Sequence, residues 1–279
     1  MKVLVTGAKG QLGTDVMAVL AQRGIRAVGT DVDTLDLTQA AAVDALFATE
    51  QPDAVIHCAA FTDVNAAEQA RALCFAVNEG GTRNVAAACA ACGAKLLYLS
   101  TDYVFGDNGT DFLEVSAEKR PCNVYGASKL AGELAVQALC PKSFIVRISW
   151  VFGLHGKNFV RTMLQLSETH DTLRVVDDQI GSPTYTADLA PLLADMITGE
   201  RYGVYHATNE GVYSWADFAA EIFRQAGRST VVAPVPSAQY PSPAARPLNS
   251  RLSKASLDAA GFARLPDWRD ALRRFLLDL

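Results

Sequence analysis

Tyr125 and Lys129 stand four residues apart in Tyr125-Gly126-Ala127-Ser128-Lys129, and on a helix residues at that spacing share a face. An ammonium beside a phenol favours the phenolate and lowers the tyrosine pKa. That brings a weak acid into range to pass a proton near neutral pH. The sequence predicts such a helix, because Ala127, Leu130, Ala131, Leu134, Ala135 and Ala138 recur at helical spacing as one apolar stripe. Tyr125, Lys129 and Gly132 form a second stripe, free to face something other than the core. Taken alone, the pair could equally be an ordinary surface tyrosine and lysine, so its meaning depends on elements elsewhere in the chain.

The first of these elements is at the N-terminus. A strand, Lys2–Thr6, runs into Gly7-Ala8-Lys9-Gly10-Gln11-Leu12-Gly13; a helix over Gln11–Arg23 follows and stops at Gly24, and Arg26–Asp31 reads as a second strand. Strand, glycine turn, helix, strand is the phosphate-binding unit of a dinucleotide fold. Glycines let the backbone approach a pyrophosphate, which rests on the helix N-terminus. Asp31 closes the second strand, where an acid accepts hydrogen bonds from adenosine ribose hydroxyls. Asp36-Leu37-Thr38 opens a helix to about Thr49, with Asp36 or Thr38 as its cap. The apolar strand Asp53–His57 runs into Cys58-Ala59-Ala60-Phe61-Thr62, whose small residues suit close passage of a cofactor, while His57 reads as a strand residue rather than a ligand. The candidate cofactor set is therefore Gly7, Gly10, Gln11, Leu12, Gly13, Asp31, Asp36, Leu37, Ala59, Ala60, Phe61 and Thr62, joined by Tyr125 and Lys129.

A long helix over Cys74–Cys92 carries Asn78, Thr82 and Asn84; the strand Lys95–Ser100 then ends in Ser100-Thr101-Asp102-Tyr103-Val104-Phe105-Gly106. Hydroxyl and carboxylate groups crowd that strand end, where a substrate would lie. The polar segment Asp107–Pro121 leads into the Tyr125 helix, and the strand Ser143–Ile148 ends at Ser149-Trp150. Beyond it the β-α alternation fades. Asn158–Glu168 reads as a helix, Leu173–Val176 as a strand, Gln179–Thr184 as a tight loop, Ala187–Thr198 as a helix and Gly203–Ala207 as a strand. Ser214 caps a further helix, Pro234–Pro247 is a loop, and helices near Lys254–Ala260 and Asp267–Leu277 close the chain. The class is α/β, a Rossmann-type doubly wound parallel sheet.

Half of the 279 residues are hydrophobic and a fifth are charged, as in a globular protein with a full core. A net charge of −5 speaks against nucleic acid as a partner. No apolar run reaches the length of a membrane span, and no signal-peptide pattern precedes the first strand, so a cytoplasmic location is expected. Cys89 and Cys92 make a C-x-x-C in the last turns of a helix rather than at its start, without a second pair for zinc. All of Cys58, Cys74, Cys89, Cys92, Cys122 and Cys140 read as buried small hydrophobes, and no metal ligands are assigned.

The glycine turn together with Tyr-x-x-x-Lys resembles the extended short-chain dehydrogenase/reductase superfamily. Within it, the chain is most similar to the dTDP-4-dehydrorhamnose reductase family. Gly10-Gln11-Leu12-Gly13, Ser100-Thr101-Asp102-Tyr103-Val104-Phe105, Arg147-Ile-Ser-Trp150-Val151, Asn158-Phe159, Asp178-Gln179-Ile-Gly181-Ser-Pro183-Thr184 and Arg246-Pro247-x-Asn249-Ser250 carry the likeness, which spans the whole chain. It implies two domains: residues 1–152 as an NAD(P)-binding Rossmann domain, with returns near 173–207, and 153–279 mainly as a smaller C-terminal substrate-binding domain. It implies reduction of a 4-keto nucleotide sugar by NADPH or NADH, with Thr101, Tyr125 and Lys129 catalytic. Thr101, Asp102, Tyr103, Trp150, Asn158, Gln179 and Arg246 would meet the substrate. Asp102 could instead cap the following loop, and Trp150 could equally be a core residue. An epimerase or dehydratase that keeps its NAD⁺, or a non-catalytic regulatory subunit of the same fold, are the alternatives. Two departures stand out. Phe61 takes the place of a frequent tyrosine near the cofactor, and Asp15 replaces the first-helix glutamate that in some relatives holds Mg²⁺ between two subunits of a homodimer.

Overall fold

The computed structural model describes residues 1–106 and 109–279; Asp107 and Asn108, the start of the expected polar segment Asp107–Pro121, lie outside the described residues. The first half alternates strand and helix: β1 (Lys2–Thr6), α1 (Gln11–Gln22), β2 (Arg26–Thr30), α2 (Ala40–Glu50), β3 (Ala54–His57), α3 (Val64–Gln69), α4 (Arg71–Phe75), α5 (Thr82–Cys92), β4 (Lys95–Thr101), α6 (Val124–Leu139) and β5 (Ser143–Ile148). There follow β6 (Val151–Phe152), α7 (Phe159–Leu166), β7 (Thr172–Val176), β8 (Ile180–Gly181), β9 (Thr184–Tyr185), α8 (Thr186–Thr198) and β10 (Gly203–His206). The chain ends with β11 (Tyr213–Ser214), α9 (Trp215–Gln225), β12 (Val231–Val235), β13 (Asn249–Ser250), α10 (Ala255–Ala259) and α11 (Trp268–Leu277).

Among the described residues, six strands form one parallel sheet in the order β10-β5-β4-β3-β1-β2. Side chains alternate across a strand, and here both faces are apolar, as a sheet covered on both sides requires. Val3, Val5, Ala54, Ile56, Leu97 and Leu99 meet Leu12, Val16 and Leu20 of α1 and Leu189, Leu193 and Ile197 of α8. The intervening Leu4, Val55, Leu96 and Tyr98 meet Val43 and Phe47 of α2, Val85 and Cys89 of α5, and Val136 of α6. A separate core gathers Phe152, Val160, Tyr185, Phe218, Ile222, Trp268, Leu272 and Phe275. Its α9 starts at a capping box, Ser214 with Asp217. The later half thus divides between two cores, with α8, β10 and Leu257 of α10 on the large sheet and α7, α9 and α11 on the other.

Several expectations need correction. On α6 the stripe read as the core face is the outer one: Leu134 is 58% exposed, Ala138 is exposed, and Ala127, Leu130 and Ala131 are half-buried, Ala135 alone being buried. The buried face instead carries Ser128, Lys129, Gly132 and Glu133. Polar groups turn inward because they have partners there, described below. The expected cap of α2 is also absent: the helix starts at Ala40 after Gln39, while the Asp36 carboxylate accepts from the N–H and hydroxyl of Thr38 in a local turn. The long helix over 74–92 contains a π-helical turn, Ala76–Gly81. Gln179–Thr184 holds β8 and the first residue of β9, and the Pro-rich loop starts inside β12, which pairs in parallel with β7. Cys74, Cys89 and Cys140 are buried and Cys58 half-buried, but Cys92, at the end of α5, and Cys122, in the loop before α6, are exposed thiols.

Close packing of α6 on β4 depends on Gly132. A Cβ there would stand 2.3 Å from the Tyr98 hydroxyl and 2.6 Å from the Asn78 carbonyl oxygen. Alanine gains roughly 1 kcal/mol of helix propensity, and the overpacking costs about 1–3 kcal/mol. Gly132→Ala is therefore expected to be destabilised in urea unfolding; an unchanged or raised midpoint contradicts this packing.

Candidate active site

The chain runs from β1 outward to β2 and then crosses to β3 on the other side of β1. Open α/β sheets bind ligands at such a switch point, outside the carboxyl ends of the strands. The C-terminal ends of β1, β3, β4 and β5 border a cavity of about 860 Å³ there. Gly7, Gly10, Gln11, Leu12, Gly13, Asp31, Asp36, Leu37, Ala59, Ala60, Phe61 and Thr62 all lie on its wall, as does Thr101-Asp102-Tyr103 with Tyr125, Lys129 and Trp150.

The glycine turn has the geometry a dinucleotide needs. Gly7 sits at φ +66° and a Cβ on it would stand 2.7 Å from the Ala59 nitrogen; one on Gly13 would stand 2.0 Å from the Gly7 carbonyl oxygen. Backbone therefore passes where side chains cannot. Helix α1 begins behind Gly10 with no side-chain cap, so its first N–H groups and positive dipole end are left for an anion. Asp31 is tied by its own turn, accepting from the backbone N–H of Lys9 (2.9 Å) and Val32 (2.8 Å), and the Lys9 ammonium pairs with Asp33. On the far wall, Asn78 grips the Phe61 peptide from both sides. Its Oδ1 accepts from the Phe61 N–H (2.7 Å), and its Nδ2 donates to the Phe61 carbonyl (3.1 Å) and the Ser128 hydroxyl (2.9 Å). The π turn places this side chain, in keeping with such turns at functional sites. Sequence reasoning noted Asn78 as a polar residue in an apolar helix and assigned it nothing; that contrast was the available signal.

Asn123 caps α6, accepting from the Gly126 N–H (2.7 Å), and so aims the first turn of the helix at the end of β4. The Tyr125 phenol lies beside Thr101 on the cavity wall, and the Thr101 hydroxyl donates to Asp102 Oδ1 (2.9 Å). Asp102 Oδ2 accepts from Ser250, and the Tyr103 ring meets Tyr125 edge-on at 5.7 Å. Lys129 is buried: its ammonium donates to the Leu99 carbonyl (2.7 Å) and lies over the Tyr98 ring, rather than bonding the phenol. Burial lowers its pKa to about 7, against the opposing pull of Glu133. The Tyr125 pKa is raised, first by burial and then by Asp102, which corrects the expectation of a phenol acidified by its lysine. Desolvation disfavours every charged form here and outweighs the cation. His57 is buried between Thr6 and Thr82 and burial lowers its pKa to about 3, so it is a neutral strand residue.

Three expected residues stand off the cavity wall. Asn158 caps α7 and spends its amide on Gln11 Oε1 (3.1 Å) and the Gly153 carbonyl (2.8 Å). Gln179 donates to Ser237 (3.0 Å). Arg246 reaches the site through its neighbour Tyr103, and it donates to Ser242 (2.7 Å) and Asn65 (3.4 Å). Each lies in a segment of the later half folded over the sheet, and helix caps and loop contacts claim their polar atoms. Asp102 likewise has both carboxylate oxygens bonded within the protein. Trp215, taken only as part of a capped helix start, does line the cavity: it stacks on Trp150 with ring centroids 3.8 Å apart and planes 17° apart. Trp150 itself holds φ +49°, a left-handed value rare for a bulky residue. A large apolar ring at the first position of α9, beside its cap, was the signal for Trp215.

A parallel sheet with its glycine turn and cavity at the switch point makes this a Rossmann-type protein of the extended short-chain dehydrogenase/reductase kind. A family model described as RmlD substrate binding domain matches residues 1–279, and the chain belongs to that family. It is 44% identical over 276 residues to the dTDP-4-dehydrorhamnose reductase of Streptomyces griseus, covering 96% of this chain and 91% of that one. Solved structures agree. The dTDP-4-dehydrorhamnose reductase of Clostridium acetobutylicum superposes with a TM-score of 0.97 at 40% identity over 100% of both chains. That of Bacillus anthracis, in complex with NADP, gives 0.97 at 41% identity over 100% of this chain and 99% of that one. Among the described residues no helix is long and apolar enough to cross a membrane.

Buried Asp102 makes the site's stability pH-dependent. Its pKa rises from 3.8 to about 6, because burial outweighs the bonds from Ser250 and Thr101. A carboxyl raised on folding contributes fully below its unfolded pKa, and that contribution is lost as pH rises through the folded value. Two pKa units are worth about 3 kcal/mol. Relative to the parent, Asp102→Asn should therefore gain stability between pH 4 and pH 7, by an amount of that order in denaturant unfolding. A pH-independent difference between the two proteins refutes the buried carboxyl.

Proposed function

We propose that the protein reduces dTDP-4-dehydro-6-deoxy-L-mannose to dTDP-L-rhamnose, the last step of dTDP-L-rhamnose synthesis. The observation that carries this reading is the placement of Tyr125 beside Thr101 at the end of β4, in one cavity with the glycine turn. The residues of the switch point suit a dinucleotide, with Gly7, Gly10 and Gly13 under the pyrophosphate, Asp31 at the adenosine ribose and Ala59 to Thr62 along the far wall. Bound NADPH or NADH supplies the hydride for the 4-keto carbon. Tyr125 gives its phenolic proton to the developing alkoxide, and Thr101, turning its hydroxyl from Asp102 Oδ1 when the substrate binds, donates a hydrogen bond to the same oxygen, where charge grows. A raised tyrosine pKa suits reduction, since the phenol stays protonated until a stronger base forms beside it. Lys129 positions the nicotinamide ribose. Residues 153–279 meet the sugar-nucleotide through Phe159 and Trp215, with Trp150 stacked on Trp215 as its aromatic wall and Tyr103 between Arg246 and the sugar. The chemistry needs no metal.

Steady-state assays against a panel of 4-keto nucleotide sugars test this. Net oxidation of added NADPH with the dTDP-6-deoxy-L-sugar is expected, whereas an epimerase or dehydratase would retain NAD⁺ and oxidise none. Tyr125→Phe keeps the ring and loses the proton, so turnover should fall about 10²–10⁴-fold with cofactor affinity nearly unchanged. Single-turnover rates within tenfold of the parent would remove Tyr125 from the reaction.

Cofactor choice rests on opposed charges. Asp31 favours free ribose hydroxyls, while Lys9 can meet a 2′-phosphate if it leaves Asp33, so both NADH and NADPH should be accepted. Asp31→Ala is expected to shift preference toward NADPH. Equal movement of the two fluorescence titrations would show that Asp31 does not read the ribose.

A further inference from the structure

Behind the cavity, α6 carries a second ionisable group one turn beyond Lys129. Glu133 is 1% exposed and Arg147, from β5, is equally buried. They pair side-on: Arg147 Nε to Glu133 Oε1 at 2.8 Å and Nη2 to Oε2 at 2.7 Å. The Ser100 hydroxyl donates to Glu133 Oε1 as well (2.5 Å), one residue before Thr101. Arg147 Nη1 donates to the Val115 carbonyl (3.0 Å) and to His206 Nε2 (3.3 Å), whose Nδ1 donates in turn to the Ser253 carbonyl (3.1 Å). The Arg147 guanidinium also lies over the Phe105 ring. Three neighbouring strands, β4, β5 and β10, are thus wired to one carboxylate on α6.

A bridge of this kind is poor value as stability alone, since apolar residues of like volume do as well. Its placement says more. Residues four apart on a helix are neighbours, and among the described residues the Lys129 ammonium is bonded to the Leu99 carbonyl and to no carboxylate. The groups facing Lys129 are Tyr125 and Glu133 on its own helix, His57 and Cys58 from the end of β3, Cys74 from α4 and the Tyr98 ring from β4. From the other elements packed on α6, Glu68 of α3 accepts the Val124 N–H, Asp102 and Tyr103 face Tyr125, and Cys89 of α5 faces Cys140 just past its far end. Among the described residues around Lys129, Glu133 is the carboxylate one turn away on the same helix, and Arg147 and Ser100 fix its position.

We propose that Glu133 is a positioning residue for the reduction: clamped by Arg147 and Ser100, its carboxylate keeps Lys129 charged in a buried site and holds α6 in register with Thr101. This rests on the reading of Lys129 given above, so the test separates the two. Glu133→Gln keeps the shape and the bond to Ser100 but leaves Arg147 unpaired, which can prevent folding; Glu133→Gln with Arg147→Met removes both charges together. In the ligand-free proteins, ¹⁵N-lysine NMR follows the Lys129 ammonium, assigned by its loss in Lys129→Met. Its titration midpoint is expected to fall by about one unit or more in the double variant. At pH 8 the charged fraction then drops about tenfold. An unmoved midpoint in the folded double variant overturns the proposal. Where the midpoint moves, the high-pH limb of kcat/KM should move with it. A moved midpoint with an unmoved limb upholds Glu133 as the group that keeps Lys129 charged and refutes instead the role of Lys129 in the reaction.

Discussion

Desolvation at the carboxyl ends of β4 and β5 is the constraint on which the rest of the structure turns. Asp102, Lys129, Glu133 and Arg147 are all buried within that region, and an ion out of water is costly unless bonded. Each therefore has dedicated partners: Ser250 and Thr101 for Asp102, the Leu99 carbonyl and Tyr98 ring for Lys129, Ser100 and Arg147 for Glu133. These partners come from segments as distant as β13. The polar site thus requires the later half of the chain to fold back over the sheet, and the fold cannot be understood as a Rossmann unit with an appendage.

That same constraint explains which parts of the molecule were legible in the sequence. The glycine turn, the strand ends and the cap at Ser214 are local: backbone geometry and short-range bonds decide them, and the structure places them as read. The face of α6 was misread because an alanine-leucine stripe looks like a core and a Ser-Lys-Gly-Glu stripe does not. Hydrophobic periodicity ranks residues by transfer to oil, and it has no entry for a lysine whose partners are a carbonyl on another strand and a ring. Asn158 and Gln179 differ in the opposite sense, standing off the cavity wall. Their residue types suit a nucleotide, but α7 needs a cap and the loop at Ser237 needs a donor, demands invisible without the tertiary fold.

Trp150 shows how the two cores are joined. It follows β5 directly, holds a left-handed backbone and stacks on Trp215, the first residue of α9. A strained conformation persists only when its surroundings over-determine it. Here the surroundings are visible: the indole lies against Gly181, where a Cβ would stand 3.0 Å from the ring, and Thr184 donates its N–H to the Trp150 carbonyl. The strand leaving the Rossmann sheet is thereby turned so that its side chain reaches a helix of the second core across the cavity mouth. Gln11, at the phosphate turn, makes the matching contact on the other side through Asn158 and the Lys157 carbonyl.

The chemistry then follows from which groups are left with spare bonding capacity. Within the cavity the uncapped N–H groups of α1 face the place for an anion, the Tyr125 hydroxyl the place for a carbonyl oxygen, and the indoles the place for an apolar ring face, while the Thr101 hydroxyl is held by Asp102 until a stronger acceptor arrives. The carboxylates and the arginine at the floor are already satisfied. A site with hydroxyl donors at the front and fixed charges behind is suited to stabilising charge that appears only during reaction, because its dipoles need not reorganise when the oxygen becomes negative. Lys129 lies between the two layers. Its pKa, lowered to about 7 by burial, leaves its charge dependent on the group behind it, and a dinucleotide excluding more water would raise that dependence further. Burial keeps the tyrosine protonated without help from the lysine; in the proposed reduction, what the lysine's charge adds is a fixed positive potential toward which the phenolate forms.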